Sequence, residues 1–186
     1  MTPFTTLTGS AAVLDRANVD TDQIIPARFL RKPRGAGYGD YLFADLRRAE
    51  PAFPVFAGAS VLVAGANFGC GSSREGAVYA LLDAGIRCVI APSFGDIFAG
   101  NAAKNGLLTI ALETVPIAQG ASVTVDLPAQ EIRVGNHVVR FAIDPFRKRC
   151  LVEGLDDIGL TLEHADALAA FERAHRAARP WSEPVR

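Results

Sequence analysis

The heptapeptide Gly69-Cys70-Gly71-Ser72-Ser73-Arg74-Glu75 gathers two hydroxyls, a thiol and a guanidinium into one short stretch. Glycine lets backbone N–H groups come close to a ligand. Arginine offers a planar fork of donors matched to a carboxylate. Ser72 and Glu75 stand at the spacing of a capping box, which predicts that a helix opens here. A helix N-terminus adds partial positive charge and unpaired N–H donors. Together these residues predict an anion site whose natural ligand is a carboxylate. The Ser-x-x-Glu spacing alone is satisfied by a capped helix with no ligand. The two glycines, the second serine and the arginine argue beyond that reading. Cys70 reads equally well as a small buried apolar residue.

Other residues could join such a site. Asp20-Thr21-Asp22 brings two carboxylates and a hydroxyl together, and these could orient an arginine or position a substrate. By residue type alone, Asx and threonine before the apolar pair Ile24-Ile25 are ordinary turn and cap material. Arg28, Arg31 and Arg34 flank the start of a glycine-rich stretch, Pro33-Arg34-Gly35-Ala36-Gly37-Tyr38-Gly39, which predicts a flexible loop. Each of the three could hold a carboxylate or be a solvated surface arginine.

The elements that must position these residues follow from apolar patterning. Residues 60–65 and 86–91 are short apolar runs that predict buried strands. Between them the helix opened by Ser72–Glu75 runs to about Gly85. A strand, loop, helix, strand order is that of a parallel unit. Residues 5–14 predict an opening strand, residues 40–48 a short helix and residues 51–58 a linker. Ser93 with Asp96 predicts a second capped helix ending at Asn105-Gly106, followed by a strand at 107–112. Residues 123–127, 131–134 and 137–143 alternate and predict an antiparallel layer, with Gly135-Asn136 as a hairpin turn. Residues 144–153 predict a helix. Residues 166–179 predict an amphipathic helix that buries Leu168, Ala169 and Phe171, and the tail from Pro180 onward is expected to be mobile.

At these residues the chain resembles a known family. Phe-Gly-Cys-Gly-Ser-Ser-Arg-Glu at 68–75 is similar to the G-S-S-R-E signature of the swivelling domain in the aconitase superfamily. Within it, the chain most resembles the small-subunit family of bacterial 3-isopropylmalate dehydratases. The likeness extends through N-V-D-T-D-Q-I-I-P at 18–26, A-P-S-F-G-D-I-F at 91–98 and G-L-D-D-I-G-L-T-L at 154–162. Four separated motifs in one order are more specific than any one alone.

The resemblance implies an α/β fold, the three-layer β/β/α swivelling domain, as one domain over residues 1–186. It implies a hydro-lyase that isomerises 2-isopropylmalate and 3-isopropylmalate by dehydration and rehydration in leucine biosynthesis. The partner it implies is a large subunit that carries a [4Fe–4S] cluster, with no cofactor in this chain. By the same resemblance Ser72 is the base, Ser73 and Arg74 bind a substrate carboxylate, and Arg31 binds a second one. Thr21 and Asp22, in the segment that faces the active site, join the substrate-binding residues. Ile24, Ile25, Phe29 and Leu30 offer an apolar wall for an alkyl group. Gly76 stands where the family commonly has histidine. That departure keeps open a methylmalate or dimethylmalate dehydratase. A non-catalytic carboxylate-binding module is the alternative from another class.

Composition excludes several functions. The net charge of −1 argues against nucleic acid or an anionic membrane as partner. No apolar run is long enough to span a bilayer, and the N-terminus lacks the basic start and apolar core of a signal peptide. Three cysteines without a C-x-x-C pair predict reduced thiols, a cytoplasmic location and no metal or iron–sulfur cluster held by this chain. Gly69-x-Gly71 fails at Arg74 as a dinucleotide fingerprint, and there is no P-loop or G-x-S-x-G elbow.

Overall fold

Valine-, isoleucine- and leucine-rich runs form the centre of the molecule. The computed structural model of the chain describes residues 1–50, 53–54, 56–113 and 116–182. Strands β1 (Thr6–Leu14), β2 (Ala59–Ala64), β3 (Cys88–Ala91) and β4 (Leu108–Ala111) lie parallel in the order β4-β3-β2-β1. Every residue of β3 is buried, as expected of a strand covered on both faces. Strands β5 (Ser122–Asp126), β6 (Glu131–Val134) and β7 (His137–Arg140) continue the same sheet antiparallel from the other edge of β1. The first half of β1 pairs with β5, the second half with β2, and the register shifts between Ser10 and Ala11.

That shared strand lets the sheet curl over itself. One buried cluster joins Val61, Cys88, Ile90, Leu108 and Ile110 of the parallel part to Val123, Val125 and Ile132 of the antiparallel part. The opposite face of the parallel strands, with Ala12, Leu62, Val89 and Ala91, packs on the helices through Ala77, Val78, Leu81, Phe98 and Ala102. The result is the β/β/α layering expected of the chain.

Helix α3 (Glu75–Asp83) links β2 to β3, and α4 (Asp96–Asn105) links β3 to β4. Gly106 ends α4 in the left-handed conformation, and Leu107 N–H returns to the Ala102 carbonyl. Neither expected N-cap forms. The residue before α4 is Gly95, and the Ser93 hydroxyl instead accepts Asn67 N–H at 2.9 Å. The residue before α3 is Arg74, and Ser72 lies outside the helix.

Two short helices, α1 (Thr21–Ile24) and α2 (Ala44–Ala49), and three 3-10 turns at Ala27–Arg31, Arg34–Ala36 and Gly39–Tyr41 fill the stretch between β1 and β2. Residues 51, 52 and 55 of the expected linker lie outside the described residues. The C-terminal part forms α5 (Pro145–Glu153), α6 (Asp157–Leu162) and α7 (Ala165–Ala178), followed by a 3-10 turn at Pro180–Ser182. Asp144 and Asp156 cap α5 and α6. The α7 expectation needs correction: no residue of this helix is buried, and Leu168 and Phe171 are exposed. Its amphipathic pattern is real, but its apolar face has no cover among the described residues.

Candidate active site

The strand β2 ends at Ala64, and the chain then threads between two neighbours before α3. Phe68 pairs with Phe94, and Cys70 pairs with Asp20, each as an isolated parallel bridge. Gly69 N–H bonds to the Val19 carbonyl at 2.8 Å, and Thr21 N–H bonds to the Cys70 carbonyl at 3.0 Å. These contacts stitch the 68–71 segment to the 18–21 segment. Gly71, at φ +86°, then turns the chain in a conformation that costs most residues strain. Ser72 and Ser73 emerge exposed beyond that turn. Among the described residues neither serine hydroxyl has a hydrogen-bond partner.

The absent capping box matters here. Glu75 does not reach back to Ser72. Its carboxylate accepts a bond from Asn105 Nδ2 at 2.7 Å, which ties the start of α3 to the end of α4. No side chain caps α3, so its first N–H donors stay available beside Ser73 and Arg74. The capping box sits instead at Asp20 and Gln23. Asp20 Oδ1 accepts Gln23 N–H at 2.8 Å, and Gln23 Oε1 accepts Asp20 N–H at 3.0 Å.

Thr21 and Asp22 both reach the serine loop. Thr21 is buried, and its hydroxyl donates to the Ser72 carbonyl at 2.9 Å. That bond fastens Thr21 to the backbone of the serine loop. Asp22 pairs with the Arg74 guanidinium. Ile24 and Ile25 are fully buried core residues and form no wall of an open pocket. Phe29 and Leu30 are half-buried on the edge of that core, and Phe29 stacks on Tyr41 with centroids 4.2 Å apart.

The structure separates the three arginines. Arg28 forks onto Asp45 and holds that carboxyl below its usual range, chiefly through the hydrogen bond. Arg34 forks onto Asp83 at 2.6 and 2.9 Å and lies over the Tyr79 ring at 4.4 Å. Asp83 also accepts Tyr38 N–H at 2.7 Å, so it fastens the glycine-rich stretch to the end of α3. Burial, and next the neighbouring Glu75 carboxylate, raise the Tyr79 phenol above its ordinary value. Arg31 is exposed and has no ion-pair partner among the described residues. The glycine-rich stretch is therefore pinned at its middle while Arg31 stays available.

Gly76 explains how this stretch meets α3. A Cβ at Gly76 would lie 2.4 Å from Leu30 Cδ2. The bare helix position admits the Leu30 side chain one residue past Glu75. Nothing in the residue pattern of the sequence signalled that contact, nor the Asp83 anchor.

The serine loop lies on an open face. A cavity of about 550 Å³ is found at the opposite end of α3, lined by Gly39, Phe53, Phe56 and Asp83 among others. It does not include the serines, and the exposed hydroxyls make the stronger case for a site. Cys88 is fully buried, which raises its thiol pKa far above the ordinary value. Among the described residues no group of three His, Cys, Asp or Glu side chains could hold a metal ion. No helix among them is long and apolar enough to cross a membrane.

Residues 49–115, which span β2 to β4 and the serine loop, match the family model described as the aconitase C-terminal domain. A curated relative from Xanthobacter autotrophicus, a 3-isopropylmalate dehydratase small subunit, is 50% identical over 200 residues, covering 97% of this chain and 100% of the relative. The chain belongs to the 3-isopropylmalate dehydratase small-subunit family. A solved structure agrees: 3-isopropylmalate dehydratase (leuD) from Methanocaldococcus jannaschii is 33% identical. That alignment covers 90% of this chain and 99% of the other, with a TM-score of 0.73. Residues 157–184 separately match the model for the C-terminal domain of this small-subunit family. That match falls on α6, α7 and the turn after them. The chain thus carries the α/β swivelling fold of the small subunits, with the Gly-Ser-Ser-Arg-Glu loop in place and glycine at position 76.

Proposed function

We propose that this chain is the small subunit of a 3-isopropylmalate dehydratase, a hydro-lyase that interconverts 2-isopropylmalate and 3-isopropylmalate in leucine biosynthesis. A large subunit bearing a [4Fe–4S] cluster completes the active site. The observation that carries this reading is the serine loop. Ser72 and Ser73 stand exposed and unbonded beside the uncapped start of α3, in a chain half identical to a curated small subunit.

Ser72 Oγ takes the proton from the carbon next to a substrate carboxylate as the hydroxyl leaves the adjacent carbon. The unsaturated acid then takes the hydroxyl back on the other carbon, and Ser72 returns its proton to the carbon that lost the hydroxyl, so no water is gained or lost overall. The partner's cluster supplies Lewis acidity toward the departing hydroxyl. A serine hydroxyl is a very weak acid, so its alkoxide needs donors already in place. The unsatisfied N–H groups at the start of α3 are suited to that role. Ser73 and Arg74 hold one carboxylate. Asp22 orients the Arg74 fork and Thr21 holds the Ser72 backbone, so both position the loop. Arg31 holds a second carboxylate from the neighbouring turn. An open face rather than a pocket fits a site that a second protein closes.

The test is reconstitution with an iron–sulfur large subunit, followed by assay of isopropylmalate dehydration. Activity is expected only for the pair. Ser72→Ala should lower kcat by about 100-fold or more while KM stays within a few-fold, because a proton-transfer group acts in the transition state. Turnover by this chain alone, or a fully active Ser72→Ala complex, would overturn the assignment.

A further inference from the structure

Ile158, Leu162, Leu168, Phe171 and Trp181 are large apolar side chains left exposed in the C-terminal segment. Neither α6 nor α7 contributes a buried residue. In α7, positions 168, 171 and 175 fall on one face at helical spacing, and the Phe171 and His175 rings lie 5.6 Å apart. Asp166, Arg173 and Arg176 fall on the other faces, and Glu172, four residues after Leu168, flanks the apolar one. A lone helix of this length is marginal in water, and most helical stability comes from packing an apolar face. An apolar face of this kind, rimmed by charge, marks an interaction surface.

Two observations indicate what covers it. First, the segment leaves the body beside the serine loop. Lys104 Nζ bonds to Asp157 at 2.9 Å where α6 begins, and the next residue, Asn105, bonds to Glu75 at 2.7 Å. Glu75 directly follows Arg74. Whatever closes the open serine loop also comes to this edge. Second, residues 157–184 carry a small-subunit family match of their own although none of the described residues among them is buried in this chain.

We propose that α6 and α7 form a docking arm for the large subunit. The Leu168, Phe171 and His175 face, with Ile158 and Leu162, seats in an apolar groove on the protein that completes the Ser72–Arg74 site. This rests on the two-subunit reading above. The arm lets the large subunit be captured by contacts that take no part in the chemistry.

The test is the full chain carrying Leu168→Glu and Phe171→Glu together. Both side chains are exposed, so the body should keep its circular dichroism and melting temperature. Affinity for the purified large subunit, measured by calorimetry, should fall about tenfold or more, since anchors at an interface dominate its energy. At saturating large subunit, kcat should return to the wild-type value. Wild-type affinity in the double variant would overturn the docking arm while leaving the two-subunit reading intact. So would loss of self-association in light scattering with large-subunit affinity unchanged, which would give the face to a second copy. Failure of the wild-type chain to bind any iron–sulfur large subunit would overturn both.

Discussion

Arg31 differs from its two neighbours in having no ion-pair partner among the described residues. Arg28 is engaged by Asp45, 17 positions along the chain, and Arg34 by Asp83, 49 positions along. Partners so far apart cannot be read from residue types or spacing, so residue type alone leaves the three arginines equivalent and only the family resemblance favours Arg31. Arg31 stays exposed, and in the proposed function it holds a carboxylate. Arg31→Ala should therefore lower kcat/KM for isopropylmalate and methylmalate alike, by about tenfold or more, because a charged contact to a shared carboxylate is lost. Arg28→Ala serves as the control and should change neither rate by more than about twofold, since its pair with Asp45 is exposed. Steady-state kinetics of the reconstituted complex decide the matter, and equal losses in both variants would move the contact to Arg28. By contrast, the serine loop was legible. Ser72, Ser73 and Arg74 were marked by type and order, and the structure presents both serines to solvent.

At the scale of elements, the sequence located the helices better than their caps. Helix α3 was expected from Ser72 and begins at Glu75, because Gly71 turns the chain and Thr21 holds the Ser72 carbonyl outside the helix. A capping motif is a local signal, and the turn at Gly71 together with the contact from the remote Thr21 overrode it. The segment from Ala27 to Tyr41, whose glycine-rich part was expected to be a flexible loop, folds into three 3-10 turns held by Asp83 and the Phe29–Tyr41 stack. Gly76 couples that stretch to α3. In a helix, Gly→Ala usually gains about 1 kcal/mol, yet here the new Cβ would collide with Leu30 Cδ2 at 2.4 Å. The far end of a leucine can move, so Gly76→Ala should fold with a melting temperature at or above wild type. Leu30 should then be pushed off α3 toward the substrate side. We expect kcat/KM to shift toward methylmalate over isopropylmalate by about fivefold or more, since one methylene of fit is worth about 1–3 kcal/mol. An unchanged ratio would place Leu30 outside the specificity pocket.

Across the whole molecule, alternation along the later strands correctly set them apart from the apolar parallel core. It could not reveal that β1 belongs to both. Ser10 is the register point at which β1 leaves β5 and joins β2, and the two parts of the sheet then face each other across one buried cluster. Neither part can open without stripping β1 from the other and exposing Val61, Ile90, Val123 and Val125 together. Such a body unfolds as one cooperative unit. Helix α7 is not bound into that unit, because no residue of it is buried. In native-state hydrogen exchange on the isolated chain, amides of β2 and of β5 should therefore open with the same free energy and the same denaturant dependence. Amides of α7 should exchange many-fold faster. The single tryptophan, Trp181, lies in the exposed turn after α7, 78% accessible. Its emission should resemble that of a solvated indole in the folded chain and change little through the main transition, while far-UV circular dichroism records one steep unfolding. Measurable opening of β5 at a lower free energy than β2 would show that β1 is a seam between two independent parts rather than the strand that joins them.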